Sequence, residues 1–327
     1  MNLYRNLIVA ALVLTFGVVV LGAYVRLSDA GLGCPDWPGC YGKLTPIHAA
    51  DEIAQAESVQ PGGPVSHAKA WKEMVHRYFA GILGLLVLGI FALAWKNRKD
   101  ATGSPALPAA LLALIVFQAL LGMWTVTELL KPFIVTSHLI GGMSTLALLA
   151  WLWQRECGPS LYGMANVRHL RLWGGLALVV VAIQIVLGGW VSTNYAALAC
   201  LDFPKCHGEW VPEMAFTPAF TLHRELGMDA SGNLLTLKAL TAIHWMHRVW
   251  AVVVLVFVGY AAFRLVRQPG LSGLGGLLGL LLLVQICLGI ANVWLGLPLL
   301  VAVMHNAGAA LLLLVLVVIN FRLFRMR

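Results

Sequence analysis

The sequence predicts an all-α integral membrane protein, with eight transmembrane helices arranged as two tandem four-helix bundles related by a pseudo-two-fold axis. Three observations carry this. First, 60% of the residues are hydrophobic and 11% charged, with a mean hydropathy of +0.84, far outside the soluble globular range. Second, eight apolar spans of roughly 20 residues, the length a bilayer requires, can be counted. Third, landmarks of the first half recur in the second at a nearly constant offset.

The spans cover about residues 7–25, 78–95, 107–126, 133–153, 172–193, 241–263, 274–295 and 299–321. The first, with Arg5 before it, has the look of a signal peptide. Its apolar stretch is too long for one, no small-residue cleavage site follows, and its near-copy at 172–193 lies mid-chain; it is expected to be a retained helix. Arg5, Lys96, Arg98, Lys99, Arg155, Arg168, Arg171, Arg264, Arg267, Arg322, Arg325 and Arg327 fall on one side, against two acids, Asp100 and Glu156. That bias puts both termini in the cytoplasm of a plasma (inner) membrane protein. The long loops at about 26–72 and 194–240 are then outside. The net charge of +8 belongs mainly to the cytoplasmic face and calls for no nucleic acid. No phosphate-cradling glycine loop occurs; the 33 glycines suit close helix packing.

The repeat is specific. Val20-Leu-Gly-Ala-Tyr-Val25 before Cys34 and Cys40 resembles Val186-Leu-Gly-Gly-Trp-Val191 before Cys200 and Cys206. The offsets 188 − 22, 200 − 34 and 206 − 40 all equal 166. The offset is 171 at His76/His247 (247 − 76) and 167 at Gln118/Gln285 (285 − 118) and His138/His305 (305 − 138). Each copy holds four helices, an even number, so both insert the same way up about an axis along the membrane normal. The expected bundles are 1–160 and 165–327.

Four of the ten histidines lie in or at the rims of spans at repeat-equivalent places. His76 and His247 are near the outer ends of the second and sixth spans; His138 and His305 are at similar depth in the fourth and eighth. Each bundle thus offers two imidazoles on facing helices at matching heights, the arrangement that clamps an iron porphyrin from both faces. The alternative, interhelical hydrogen bonding, suits one lone membrane histidine better than four that are paired and duplicated. Zinc is disfavoured, because a structural site wants four ligands and no third or fourth recurs in register. His48, His67, His169, His207 and His223 fall in loops and are expected to be solvated.

Glu73, His76 and Arg77 share one helical face at the mouth of the second span, as do His244, His247 and Arg248 at the sixth. Arg77 and Arg248 are candidates for heme propionates, which a guanidinium matches bidentately; snorkelling to lipid headgroups is the alternative. Glu73 lies one turn, about 4.5 Å, before His76, so with His76 on iron its carboxylate would reach the porphyrin rim. There it could stabilise positive charge or take a proton; a solvated acid at the helix entrance is the alternative. The second half has His244 in its place. A bis-imidazole iron has no open position and suits electron transfer, so the second bundle would hold a permanent heme and the first a heme that is acted upon.

Cys34 with Cys40 and Cys200 with Cys206 fall in the outer loops, where disulfides closing short loops are expected. They are either structural staples or redox-active pairs. Cys157 and Cys287 are expected as thiols.

Taken together, Glu73-x-x-His76-Arg77, His247-Arg248, His138, His305 and the Cys34…Cys40 loop resemble the heme A synthase family over essentially the whole chain. The resemblance implies an eight-helix enzyme that oxidises a ring methyl of heme O to a formyl group, giving heme A. It implies a heme b on His247 and His305, substrate heme near His76 and His138, Glu73 as essential to the chemistry, and a Cys34–Cys40 disulfide supporting that site. The implied partners are the lipid bilayer, heme O synthase upstream, and cytochrome oxidase with its assembly factors downstream. Residues 43–69, rich in Ala, Gln, Pro and Gly, depart from the family pattern, as a cover over the substrate site or a mobile insertion.

Three other functions compete. A di-heme carrier passing electrons across the bilayer needs hemes near both faces, whereas all four histidines lie toward the outer one. A heme chaperone or transporter would bind heme without changing it. A membrane disulfide oxidoreductase would use the two cysteine pairs and have no need of the histidine quartet.

Overall fold

A computed structural model describes residues 2–98, 104–158 and 167–325. Lys99, Asp100 and Arg327, counted in the charge bias, and the expected bundle boundary at 160/165 lie outside the described residues. The described chain is helical: α1 (Asn2–Leu27), α2 (Ala50–Val59), α3 (His67–Lys96), α4 (Ala106–Thr127), α5 (Pro132–Cys157), α6 (Arg171–Thr193), α7 (Phe216–Phe220), α8 (Leu237–Val266), α9 (Ser272–Trp294) and α10 (Leu299–Arg325). Eight of these, all but α2 and α7, are long and apolar enough to cross a membrane.

Several helices outrun their apolar spans. α3 begins at His67, not near residue 78, because Ser66 takes an extended conformation and its hydroxyl accepts from the Lys69 N–H at 3.3 Å. Such a cap satisfies an N–H that the first turn leaves open, so the helix starts in polar sequence. Thr236 does the same for α8, accepting from the Ala239 N–H at 3.3 Å. Glu73 and His76 therefore sit inside α3 and not at its mouth.

The described chain falls into two compact units, one up to Leu149 and one from Ala150 on. In the first, α3 packs against α1 and α4. In the second, α8 packs against α6 and α9, and α10 against the same two helices.

Each unit carries a small apolar cluster at the helix ends that bear the cysteine loops. In the first, Ile53 of α2, 1% exposed, packs with Cys34, Cys40, Ala49, Ala70 and Met74. Residues 43–69 are thus anchored over the cysteine pair and are no loose insertion. In the second, α7 lies against α8. The Trp190 indole N–H donates to the Ala219 carbonyl at 2.9 Å, amid Ala239, Ala242 and Ile243.

Replacing Ile53 with Asp places an unpaired charge in that cluster, which is strongly unfavourable. We expect the detergent-solubilised I53D protein to be cut within residues 43–69 by a limiting protease at least tenfold faster than wild type. An unchanged digestion rate would mean that this cluster does not hold the segment.

Candidate active site

Each of the four paired histidines lies over a glycine of the preceding membrane helix. A Cβ added at Gly22 of α1 would stand 3.0 Å from the His76 ring, and one at Gly122 of α4 3.5 Å from that of His138. In the second unit a Cβ at Gly188 of α6 or Gly289 of α9 would stand 3.1 Å from the rings of His247 and His305. Even alanine would crowd three of these four rings. The imidazoles are half-buried. His76 and His138 lie in the first unit, and His247 and His305 in the second.

One helical turn before three of these glycines stands a glutamine. The carboxamide nitrogens of Gln118, Gln184 and Gln285 donate to the backbone carbonyls of His138, His247 and His305 at 3.2, 3.2 and 2.9 Å. Each also lies beside a ring nitrogen: Nδ1 of His138 at 2.8 Å, Nδ1 of His247 at 3.2 Å and Nε2 of His305 at 3.5 Å. The orientation of the Gln118 amide follows from this bonding pattern. Gly141 and Gly308 leave the space that Gln118 and Gln285 fill. His76 is the exception. The position one turn before Gly22 is Val18, and the ring Nδ1 of His76 is buried without a hydrogen-bond partner.

Outside the histidines, each unit has the same lock. Cys34–Cys40 and Cys200–Cys206 are disulfides, with Cα atoms 4.9 Å apart in both. Within each loop an aspartate accepts two backbone N–H groups, Asp36 from Tyr41 and Gly42 (both 2.6 Å), and Asp202 from His207 and Gly208 (2.8 and 2.9 Å). The donors converge because Gly42 and Gly208 take the left-handed backbone, with φ of 70° and 79°, as glycine does without strain. Led by the Gly208 N–H, these bonds hold the Asp202 carboxyl below its ordinary range.

The arginines close the lock. Arg77 Nη1 donates to the carbonyls of Asp36 and Gly39 at 2.8 and 2.6 Å, and its Nη2 pairs with Glu73 at 2.5 Å. Arg248 Nη1 donates to Asp202 and Lys205 at 2.7 and 3.0 Å, and its Nη2 to Cys200 at 2.7 Å. Neither guanidinium snorkels. Glu73, 4% exposed, also accepts from the Cys34 N–H at 2.9 Å, so it is not a solvated acid at a helix entrance.

His244, 5% exposed, fills the matching place: its Nδ1 faces the Cys200 N–H at 3.3 Å and its Nε2 the Arg248 Nε–H at 3.1 Å. A neutral imidazole accepts at one nitrogen only, whereas a carboxylate accepts both donors. His207 is exposed, and its ring reaches the Thr241 hydroxyl at 3.1 Å. It lies beside the Cys200–Cys206 sulfurs, which, being bonded to each other, offer no thiolate to a metal. All four half-cystines are 2% exposed or less, and thiol exchange needs access to sulfur. They are staples.

Two rings per unit, seats that glycine alone leaves open, and buried unpartnered polar atoms (Nδ1 of His76 and His305, Oε1 of Gln184 and Gln285) fit one bis-histidine heme in each unit.

The family described as Cytochrome oxidase assembly protein matches residues 5–317 of this chain. A Heme A synthase of Shewanella oneidensis is 44% identical over 314 residues, which cover 96% of this chain and 94% of that protein. The chain belongs to the heme A synthase family. Heme A synthases of Rhizorhabdus wittichii and Halalkalibacterium halodurans are 26% and 27% identical, over 95% and 75% of this chain and 91% and 78% of their own. Like its family, the chain is a multi-pass membrane protein. Two features of this heme A synthase family member had no clear signal in the sequence. The loop acceptors of the arginines are backbone carbonyls, which carry no residue identity. The part played by Gln184 was hidden because its repeat partner is Val18.

Removing the Glu73 carboxylate leaves the Cys34 N–H and Arg77 short of an acceptor inside the protein, a loss of roughly 1–3 kcal/mol. We expect Glu73→Ala to speed reduction of Cys34–Cys40 by a small phosphine about tenfold, and Glu73→Gln, which keeps an acceptor oxygen, to do so less. Equal rates in all three proteins would sever the acid from the loop.

Proposed function

We propose that this chain is a heme A synthase that oxidises a ring methyl of heme O to the formyl group of heme A. One observation carries the reading: a glycine-seated histidine pair occurs in each unit, and only the first adds a buried glutamate, Glu73, one turn from its histidine.

The division of labour follows from that asymmetry. His247 and His305 would hold a resident heme b, seated by Gly188 and Gly289. Bound between two imidazoles, such a heme supplies one-electron transfer and no open coordination position. His76 and His138 would hold the substrate heme. Two successive two-electron oxidations of the methyl, each replacing a C–H with a C–OH at the expense of an external oxidant, give a hydrated aldehyde, and loss of water gives the formyl group. Glu73 is fixed by Arg77 and the Cys34 N–H, and each of its oxygens keeps lone pairs to accept a proton or to face developing positive charge. Arg77 and Arg248 hold the loops, and any bond to a heme propionate would be shared with that task.

The units are read as tandem bundles over residues 1–160 and 165–327, related by a pseudo-two-fold axis along the membrane normal. Recurrence of the seats, caps, disulfides and arginine locks supports that relation. The basic residues at one set of helix ends support cytoplasmic termini in a plasma (inner) membrane, with both disulfide loops outside. Substrate chemistry places heme O synthase upstream and cytochrome oxidase with its assembly factors downstream.

The deciding experiment is extraction of pigment from cells that make heme O and express this chain. Heme A should accumulate; heme b and heme O without heme A would leave a heme-binding protein and no synthase. Glu73→Gln should keep the heme b spectrum and lose heme A. His247→Ala and His305→Ala should each lose or perturb the bis-imidazole low-spin spectrum of the resident heme, and an unaltered spectrum in both would remove that ligand pair.

A further inference from the structure

We propose that each disulfide loop rests on the bilayer itself. Leu44 and Ile47 in the first unit, and Trp210 and Val211 in the second, enter the membrane interface at the ends of α3 and α8 that carry the loops. The partner is a lipid surface, whatever the histidines hold.

In each unit the second half-cystine opens a tight turn. Cys40 and Lys43 exchange both backbone hydrogen bonds, each 2.9 Å, and Cys206 and Glu209 do the same at 2.9 and 3.1 Å. The next residue is apolar and turned outward: Leu44 is 83% exposed and Trp210 66%. Ile47, three residues on from Leu44, and Val211, next to Trp210, are exposed as well. Large apolar side chains exposed in company mark an interaction surface, whereas single ones do not. An aromatic side chain of the membrane helix holds each turn in place. The Tyr78 hydroxyl donates to the Leu44 carbonyl at 2.7 Å, and the Trp245 indole N–H to the Trp210 carbonyl at 2.9 Å. Both partners keep the spacing of the repeat, 210 − 44 = 166 and 245 − 78 = 167, although Leu44 is matched by Trp210 and Tyr78 by Trp245.

What covers these side chains follows from where the aromatic anchors stand. Tyr78 heads an exposed apolar stripe on α3 that continues through Ile82 and Leu85. Trp245, half-buried, heads one on α8 through the exposed Val249, Val252 and Val256. Steps of four and three residues keep each stripe on one face of its helix, and both helices are long and apolar enough to cross a membrane. Each stripe is therefore a lipid face, and the anchor is its first residue on the loop side. A tyrosine or tryptophan at that level keeps its ring in the apolar region and its polar tip toward the headgroups. Here the tip is given to a loop carbonyl, which fixes the turn at the same depth. Lipid is also the one neighbour that suits both loops. A protein partner would have to fit Leu44 and Ile47 in one unit and Trp210 and Val211 in the other, whereas the non-directional hydrophobic effect accepts either pair. The Cys34 N–H that fixes Glu73 belongs to the same loop as Leu44, so the bilayer becomes one of the supports beneath that acid.

The test uses the full-length protein in phosphatidylcholine nanodiscs, with photoreactive p-benzoylphenylalanine replacing Leu44, Ile47, Trp210 or Val211, one site at a time. Leu85, in the lipid-facing stripe, is the positive control; Gln60 and Ser231, both exposed and polar, are the negative ones. After irradiation, lipid adducts are quantified by mass spectrometry. We expect adducts at the loop sites to reach about half the yield at Leu85 and at least ~fivefold that at Gln60 and Ser231. Tyr78→Phe and Trp245→Phe keep an aromatic ring and lose the hydrogen bond that sets the depth. Each should lower the yield at Leu44 or Trp210 about twofold.

Loop yields no higher than those at Gln60 and Ser231, beside strong adducts at Leu85, would overturn the proposal. Crosslinks from Leu44 or Trp210 to a second copy of the chain, in place of lipid, would overturn it as well. Unchanged yields in both phenylalanine variants would remove the aromatic anchors from it.

Discussion

An imidazole can stand between packed helices only where the helix behind it gives way. Ring and backbone compete for the same few ångströms, and in this protein the backbone yields at Gly22, Gly122, Gly188 and Gly289. The rest of the interior is assembled around that concession. Where a glycine sits decides which helix can face a histidine and how deep the ring lies. It also decides which residue, one turn earlier, lies within reach of the ring. Hydrophobic burial cannot set such positions inside a bilayer, because lipid tails are as apolar as the side chains. Close approach and hydrogen bonding must do so instead.

The same economy governs the outer ends of α3 and α8. Buried polar groups have to find partners within the chain, and here one guanidinium serves several. Arg77 and Arg248 gather loop carbonyls, and each ties its loop to the helix turn that carries His76 or His247. The two units solve the remaining problem differently. Glu73 satisfies both the Cys34 N–H and the arginine; His244 faces both corresponding donors with a single acceptor. Similar scaffolding thus surrounds a different central group in each unit.

Much of this was legible in the sequence, for physical reasons that differ by feature. Hydropathy locates helices that must satisfy their backbone internally, so the number of spans could be counted directly. The histidine quartet stood out because His138 and His305 keep one offset while the cysteines keep nearly the same one. Helix starts were less legible. Residues 67–77 look like loop by polarity, yet a serine hydroxyl at position 66 lets α3 begin there. The burial of Glu73 was equally hidden, because its partner in the loop is a backbone N–H, that of Cys34. Gln184 escaped notice because comparison of the halves pairs it with Val18. A repeat search rewards sameness, and here the informative fact is a difference.

The sulfur atoms of both loops are buried, those of Cys34 and Cys40 in the cluster that Ile53 of α2 joins. Once joined, they are out of reach of passing thiols. A bond so enclosed exchanges with outside thiols only when the loop around it opens, so its lifetime is tied to that of the local fold.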